Sequence, residues 1–298
     1  MMNTKSPILL LVALALIAVF SASGSAKAAG LSPDPNFHAP SFAKPLLPER
    51  ALLLPDGKYL LFFDPNTLTD QHTGAISRFF ADGTLDTSFN FNPVYKTVTA
   101  AAPAAGGKLY VAATRYVYGF KDTEQILRLN PDGSIDSTFT PETVGGFDSF
   151  PDVYQILVQP DAKVLVAGNF TTFAGNDSRD GIVRLMSDGT IDATFAPVTV
   201  GGFVYSAALQ SDGKVLIGGI FTSVNGVADP GVARLNANGS LDSSFQATGF
   251  TRVTSGTRVR AIAVQNDGLI ILSGNGLESA RRNEGDGSYS HEGSGEGR

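Results

Sequence analysis

Short apolar runs, each introduced by a polar turn, recur along this chain of 298 residues. The turns have the form Asp-Gly-Lys or a close variant, and residues such as Val, Leu and Ile follow them directly. Apolar β-branched residues after a glycine turn are typical of a β-hairpin rather than of a helix. The pattern predicts an all-β protein of short antiparallel strands. Its five copies are Pro55–Leu61, Gly106–Val111, Pro160–Val166, Asp212–Ile217 and Asn266–Ile271.

A second motif alternates with these hairpins. It begins with Arg, passes through Asp-Gly and a further Asp, and ends with Phe, and successive closing Phe residues are 50, 56 and 50 positions apart. A repeat of this length indicates a propeller blade or a solenoid coil. The four copies are Arg78–Phe89, Arg128–Phe139, Arg184–Phe195 and Arg234–Phe245.

Each repeat divides into four strands, which we label A to D. In the fourth repeat we predict strand A at Val204–Gln210, B at Lys214–Phe221, C at Val232–Asn236 and D at Ser240–Phe245. Tight turns join A to B and C to D, because each carries Gly where a positive φ is needed. Two hairpins per repeat form a four-stranded antiparallel sheet, so the predicted fold is a β-propeller.

The register of the C–D hairpin accounts for two recurring charges. With Leu129 opposite Ile135, Arg128 lies across from Asp136 on the same face of the hairpin. The same count pairs an arginine with an aspartate in every repeat, and active sites are not repeated four times. We therefore interpret these residues as structural ion pairs: Arg78 with Asp86, Arg128 with Asp136, Arg184 with Asp192, and Arg234 with Asp242.

These two motifs together resemble the delta-60 repeat family of bacterial secreted and cell-surface β-propellers. The resemblance rests on hairpins such as Pro160–Val166 and on sequences such as Arg128–Phe139, and it extends over roughly residues 34–274. Gly106 and Ala162 depart from the pattern at hairpin positions. The resemblance implies a propeller and brings no general catalytic residue or cofactor with it.

Both ends of the chain differ from the repeats. Lys5, the apolar run Ile8–Phe20 and the small residues of Ala26–Ala28 predict a signal peptide over residues 1–28. That run is shorter than the roughly 20 residues of a membrane span, so we expect an exported protein without one. Residues 29–278 are predicted to form the propeller and residues 279–298 a degenerate or disordered tail.

The first residues of the predicted propeller match the end of a repeat. Asp34–Phe37 has the Asp-x-x-Phe sequence of strand D, and Ala261–Gly274 supplies strands A and B of a further repeat that lacks such an ending. We therefore predict five blades, with the N-terminal strand completing the last blade and closing the ring, which removes exposed sheet edges.

Composition and charge exclude several kinds of site and of binding partner. The chain has no Cys and a net charge of −6, which becomes more negative once Lys5 and Lys27 are removed with the signal peptide. A disulfide, a zinc–thiolate site and a catalytic thiol are excluded, and an acidic chain argues against nucleic acid or an anionic membrane as partner. We expect a monomer.

Sequence motifs for catalysis or metal binding are missing. The chain has neither a Gly-x-Ser-x-Gly elbow nor a His-Glu-x-x-His helix, and its three histidines, His38, His72 and His291, are scattered. Oxygen-bearing side chains alternate in Asn130–Asp136, but Gly133 stands where a turn needs it and not where a calcium loop does. We therefore predict no catalytic residue, no metal and no cofactor.

The function that best fits is an exported, non-enzymatic binding or surface-interaction module. A propeller hydrolase or lyase acting on polysaccharide is the alternative, because a pair of catalytic carboxylates needs no local sequence spacing. A purely structural spacer is a third possibility. We expect the ligand to be an extracellular or envelope component such as a glycan or a peptide.

A candidate site follows from the blade layout. Length variation between repeats falls in the segments at 64–72, 115–122, 172–180 and 225–229, which are expected to be loops on one face. The start of each strand A should lie at the channel mouth on that face, and these positions differ from repeat to repeat. They supply an acid, a hydroxyl, two phenols and a guanidinium: Glu49, Thr99, Tyr154, Tyr205 and Arg260.

Overall fold

The described part of the chain consists almost entirely of β-strands. The computed structural model describes residues 48–63, 75–117, 120–145, 152–175, 179–228, 231–245, 258–275, 280–282 and 289–291. Apart from a short 3-10 turn at Ala105–Gly107, the regular elements are strands paired in antiparallel fashion. The all-β class is confirmed. Over the described ranges, no helix is long and apolar enough to cross a membrane.

The chain divides into two compact units, and the first contains Met1–Asp122 and Leu127–Ser137. Its first sheet has the order β1 (Pro48–Leu53), β2 (Tyr59–Phe63), β3 (Ile76–Phe79). A second hairpin joins β4 (Tyr95–Pro103) to β5 (Leu109–Val117), and β6 (Phe120–Leu129) ends in this unit. The interior contains side chains from both hairpins, among them Leu60, Ile76, Val98, Val111 and Leu129.

The second unit contains Thr123–Ile126 and Thr138–Arg298. Glu124–Ile126 of β6 pairs with β7 (Glu142–Gly145), which pairs with β10 (Thr172–Phe173). Four further groups of strands follow along the chain. They are β8 (Asp152–Val158) with β9 (Val164–Asn169) and β11 (Ile182–Leu185); β12 (Val200–Leu209) with β13 (Val215–Val224), β14 (Val227–Ala228) and β15 (Val232–Leu235); β16 (Arg258–Val264) with β17 (Ile270–Asn275); and β18 (Ala280–Arg282) with β19 (Tyr289–His291).

The strand assignments agree with the sequence pattern except at strand D. Strands A, B and C of the fourth repeat correspond to β12, β13 and β15. The predicted D strand is reduced to a single bridge, Leu235↔Leu241. It ends there because the Asp242 carboxylate accepts the backbone N–H of Ser244 and turns the chain. The C–D register is confirmed, since Leu129 pairs with Ile135.

The B strands explain why the blades stack. In the first four repeats their residues are buried on both faces, as in Tyr59–Phe63, whereas those of β17 alternate between half-buried and exposed. A strand buried on both faces must have a neighbour on each side. In the second unit, Leu165, Val204 and Ile217 belong to one cluster, and Leu216, Val259 and Ile262 to the next. The two faces of β13 therefore pack against different sheets.

Each predicted Arg–Asp pair lies within hydrogen-bond distance, together with a lysine. In the third repeat, Arg184 Nε is 2.8 Å and Lys163 Nζ 3.1 Å from Asp192 Oδ2. The lysine comes from the A–B turn, so the ion group fastens one hairpin of the repeat to the other. We call each such group a hub. The other three hubs are Lys58–Arg78–Asp86, Lys108–Arg128–Asp136 and Lys214–Arg234–Asp242.

The hub arginine makes further contacts that account for the rest of the motif. Arg184 Cζ lies 4.6 Å from the centre of the Phe195 ring, a cation–π geometry, and Arg184 Nη1 donates to Ala237 O of the next repeat at 2.6 Å. Asp192 Oδ1 accepts from the backbone and hydroxyl of Thr194. Asp192 is only 2% exposed, so its charge has lost most of its hydration. These hydrogen bonds and the arginine charge offset that desolvation cost.

Successive repeats are also joined through their backbones. The residue that follows the closing Phe donates its N–H to the third residue of the next C–D turn: Asn90 to Asp132 O at 2.7 Å, Thr140 to Asp188 O at 2.7 Å, and Ala196 to Asn238 O at 2.6 Å. We call this contact a latch. In each unit it connects the end of one repeat to the turn of the following one.

Candidate functional site

The five candidate residues occupy one structural position. Each lies in strand A at the point where the register against strand B shifts, so that it has no Cα partner while both its neighbours do. For example, Val204 pairs with Gly219 and Ser206 with Gly218, which leaves Tyr205 unpaired. Such an extra residue is a β-bulge, a feature that redirects a side chain. The five positions are Glu49, Thr99, Tyr154, Tyr205 and Arg260.

In the third and fourth repeats, small residues of strand B lie opposite the bulge. A Cβ atom on Gly168 would lie 2.2 Å from Asp152 O, and one on Gly219 would lie 1.9 Å from Phe203 O. Both distances are far below any real contact, so only glycine allows the two backbones to approach so closely. The Ala-Gly and Gly-Gly that end the apolar run of strand B in these two repeats thus allow this close approach, whereas Phe62 and Phe63 lie opposite the bulge of the first repeat.

Exposure differs among the five positions. Thr99 is buried, Tyr154 and Tyr205 are half-buried, and Arg260 is exposed. Only the backbone of Glu49 is described, in β1. Glu49 and Thr99 belong to the first unit and the other three to the second. The common channel mouth for all five residues therefore stays a prediction.

Two of the candidates are in direct contact. The rings of Tyr154 and Tyr205 lie 5.1 Å apart between centroids, tilted by 50°. Phe203, also half-buried, approaches Tyr205 edge-on at 6.5 Å. Two neighbouring bulges and the residue before one of them thus form a partly exposed aromatic cluster. We call Tyr154, Tyr205 and Phe203 the aromatic cluster.

One phenol of this cluster has a raised pKa. Burial raises the pKa of Tyr154 to about 12, and the nearby Asp152, Tyr205 and Glu124 add to the rise. At neutral pH its hydroxyl retains its proton, as that of an ordinary tyrosine does, and can donate a hydrogen bond. A planar apolar ring with a polar tip suits a ligand that has both apolar faces and hydroxyl or carbonyl groups.

In three of the five strands, the residue after the bulge fixes the neighbouring strand. Gln155 Oε1 accepts the N–H of Ala207 at 2.7 Å, and Ser206 Oγ accepts the N–H of Ile262 at 2.9 Å. In the first unit, Arg50 Nη1 donates to Thr99 O. These bonds hold β8, β12 and β16 side by side, which brings Tyr154 and Tyr205 together. Sequence reasoning missed these residues because an ordinary Gln or Ser gives no sign of such a partner.

The segments predicted to be loops at the rim are only partly described. Residues 64–72 lie outside the described residues, as do 118–119, 176–178 and 229. The prediction of a loop at 115–122 was wrong for most of its length, because β5 extends to Val117 and β6 begins at Phe120.

One carboxyl near this region has an unusual pKa. Asp180 is half-buried, its N–H donates to Val198 O at 3.0 Å, and its carboxylate accepts from the backbone of Val200. Burial raises its pKa to about 6 despite the hydrogen bond from Val200. The described residues contain no group of three or more His, Cys, Asp or Glu side chains that could hold a metal ion. His38 and His72 lie outside the described residues, and only the backbone of His291 is described.

A family model matches the repeats. The family described as "Domain of unknown function (DUF5122) beta-propeller" matches residues 69–89, 107–139, 159–195 and 210–245. The last three matches run from the A–B turn to the closing Phe, and the first also ends at that Phe. The chain therefore carries β-propeller repeats, and the predicted fold class is confirmed; the number of blades and the closure stay predictions.

Solved structures with distant similarity include bacterial surface proteins. PorZ, a surface component of the type-IX secretion system of Porphyromonas gingivalis, is 16% identical with a TM-score of 0.41; the match covers 74% of this chain but 30% of PorZ. A protein of unknown function from Bacteroides caccae is 13% identical with a TM-score of 0.27, covering 64% of this chain and 80% of that protein. The extracellular domain of a one component system from B. thetaiotaomicron is 11% identical with a TM-score of 0.25, covering 79% of this chain and 39% of that one. No curated protein matches the chain.

Proposed function

We propose that this chain is an exported, non-enzymatic binding module of the delta-60 kind, which holds a ligand on the aromatic cluster. The predicted signal peptide over residues 1–28 supports export. The β-propeller repeats supply a scaffold whose hubs are the same in every repeat. The bulge positions on the same scaffold carry different residues, as a single asymmetric ligand requires.

The contact between Tyr154 and Tyr205 is the observation that carries this proposal. At the Tyr154 and Tyr205 bulges, backbone and small residues of strand B lie opposite the bulged residue, so the fold does not depend on which side chain stands there. Smaller residues at these two positions would therefore serve the fold equally well. The two half-buried aromatic rings are not needed for stability and are available for binding. Partly exposed aromatic side chains beside polar groups are typical of ligand sites.

A glycan suits this surface best. Its sugar rings offer apolar faces to stack on tyrosine and hydroxyl groups to bond with the two phenols. The Asp152 carboxylate beside Tyr154 adds an acceptor for hydroxyl donors. Glu124 is fully buried and accepts the N–H of Val153 at 2.7 Å, which suits it to hold β8 in place.

A glycan array tests the proposal. The mature protein is applied to bacterial envelope polysaccharides and soluble glycans, beside a Tyr154→Ala, Tyr205→Ala double variant. The Phe80→Ala variant is the matched control, because Phe80 is an aromatic side chain 41% exposed and remote from every bulge in sequence. We expect binding by the mature protein and the control and its loss in the double variant.

Two results would contradict the proposal. Equal binding by the double variant and the unaltered protein would exclude the aromatic cluster as the site. Release of new reducing ends from a bound polysaccharide by the unaltered protein would indicate the hydrolase or lyase instead.

A further inference from the structure

The bulged residue of an inner strand has a companion two positions earlier in the sequence. In β8, burial raises the pKa of Tyr154 and the nearby charge of Asp152 adds to the rise, so these two side chains are close. In β12, the ring of Phe203 lies 6.5 Å from that of Tyr205. In both strands the residue between the two is a completely buried valine. The bulged residue and its companion therefore lie next to each other outside the core.

β16 carries arginine at both of these positions. Arg258 and Arg260 are exposed, whereas Val259 between them is 1% exposed and packs in the same cluster as Leu216. Neither arginine side chain makes a hydrogen bond or an ion pair with another described residue. The two guanidinium groups are therefore available to a ligand.

The same hydrogen bond fixes β12 beside β8 and β16 beside β12. In each case the side chain that follows one bulge accepts the N–H of the second residue after the next bulge. Because this bond recurs, Arg260 lies beside Tyr205 in the same relation as Tyr205 lies beside Tyr154, whose ring centroid is 5.1 Å away. The two bonds join Gln155 to Ala207 at 2.7 Å and Ser206 to Ile262 at 2.9 Å.

The charge changes sign across these three strands. The pair on β8 is an acid with a phenol, the pair on β12 is two aromatic rings, and the pair on β16 is two arginines. The whole chain has a net charge of −6, but charges more than about 8 Å apart are largely screened at physiological ionic strength. A ligand group beside the arginines therefore experiences mainly their positive charge.

We propose that the glycan bound on the aromatic cluster is acidic, and that Arg258 and Arg260 bind its carboxylate. The guanidinium group presents N–H donors in a planar fork that matches the two oxygens of a carboxylate. A neighbouring neutral sugar ring stacks on Tyr205 and Tyr154. Asp152 repels a second anionic group, so the glycan lies with its acidic sugar on the β16 side. This inference rests on the proposed function, because it specifies the ligand of the same site.

Matched polysaccharides test the charge of the ligand. We choose bacterial envelope polysaccharides with one uronic acid in each repeating unit, before and after chemical reduction of the carboxylates to hydroxymethyl groups. The two forms differ only in this group. A sulfated galactan is included as an anionic glycan without carboxylate.

An arginine variant tests the residues. The Arg258→Gln, Arg260→Gln variant removes both guanidinium groups, and their exposure predicts an unchanged Tm. The Lys96→Gln variant is the control, because it also removes an exposed positive charge, but from β4 in the first unit. The Tyr154→Ala, Tyr205→Ala variant tests the aromatic cluster separately.

We expect the unaltered protein and the control to bind an untreated polysaccharide about tenfold more tightly than its reduced form, since two exposed charge pairs each contribute a few-fold. The arginine variant should bind both forms with the affinity that the unaltered protein has for the reduced form. Raising NaCl from about 50 to about 500 mM should remove most of the difference between the two forms.

The possible failures are distinguishable. Equal affinity of the unaltered protein for both forms, lost in the tyrosine variant, would overturn this inference and leave the proposed function intact. No binding of either form would contradict the proposed function as well. An arginine variant that still prefers the untreated form would show that other residues bind the carboxylate. Binding of the sulfated galactan alone would overturn the assignment of a carboxylate.

Discussion

The C–D hairpin and the inner-strand bulge of the same repeat follow opposite rules. At the hairpin, the hub requires an arginine, an aspartate and a lysine in each of the four repeats, and the structure shows a partner for every one of them. At the bulge, the backbone is the same in five strands while the side chain is an acid, a hydroxyl, a phenol or a guanidinium. Side chains that recur in every repeat thus stabilise the fold. Positions whose side chain changes from repeat to repeat are those at which function can differ.

The difference has a simple physical origin. A hub aspartate accepts hydrogen bonds from two cationic side chains and from its own chain. Replacing it therefore leaves buried positive charges without a counter-ion. A bulge is a backbone feature, which forms opposite Ala167–Gly168 in the third repeat and opposite Phe62–Phe63 in the first, so replacing the bulged residue itself disturbs little.

Acid should unfold the protein through its hubs. For Asp86 and Asp192, burial alone would raise the pKa, but hydrogen bonds from the hub lysine, the hub arginine and the following Ser or Thr hold it well below the usual range. A depressed pKa stabilises the fold above the unfolded value, about pH 4, and this contribution is lost as pH falls toward the folded value. Tm measured from pH 6 to pH 2 should therefore fall steeply below about pH 4. A flat profile would show that the hubs contribute no stability.

A single broken hub should cost about 3 kcal/mol of unfolding free energy, since it leaves a buried arginine without its partner. Asp192→Ala tests this, because Arg184 is 7% and Asp192 2% exposed. Asp161→Ala is the control: its carboxylate lies 3.7 Å from the same Lys163 Nζ but is exposed, so its loss should cost under about 1 kcal/mol. Urea denaturation measures both, and equal losses would contradict the special role of the hub.

Asp180 should have the opposite dependence on pH. Its pKa of about 6 in the folded state exceeds that of an unfolded aspartate, so the folded protein binds the extra proton between about pH 4 and pH 6. Its contribution to stability is therefore present at pH 4 and lost as pH rises through 6. The Asp180→Asn variant should have a higher Tm than the unaltered protein at pH 8 and nearly the same Tm at pH 4. A variant that is less stable at pH 8 would contradict this.

The smallest effect concerns a departure from the repeat. Ala162 occupies the glycine position of the third A–B turn with φ +64°. An alanine in this conformation is strained by roughly 1 kcal/mol relative to glycine. Glycine relieves this strain, but it also raises the conformational entropy of the unfolded chain, which offsets part of the gain in stability. Ala162→Gly should therefore raise the unfolding free energy by less than about 1 kcal/mol, and Gly57→Ala in the first repeat should lower it. Changes of the same sign in both variants would be inconsistent with a shared turn geometry.

Features that depend on residues close together in the sequence could be predicted. The turn Asn130–Gly133 set the C–D register, and from it followed the pairing of Arg128 with Asp136. Lys108 could be assigned only to its own turn, because its partner Asp136 lies 28 residues away in another hairpin. Counting from the turns located all five bulged residues, but not the bulges, which arise where the backbones of two strands approach each other. The latches were hidden for the same reason, since backbone N–H groups carry no sequence signal.

We propose that the hubs hold the fold and that the aromatic cluster binds the ligand. This proposal is tested by measuring Tm and the Kd for the most tightly bound array glycan, at 20 °C, for Asp192→Asn and for the Tyr154→Ala, Tyr205→Ala variant. The account predicts a lower Tm with unchanged Kd for Asp192→Asn. It predicts a nearly unchanged Tm with affinity weakened at least about tenfold for the tyrosine variant. A tyrosine variant that binds as tightly as the unaltered protein, or a hub variant that loses binding while keeping its Tm, would contradict it.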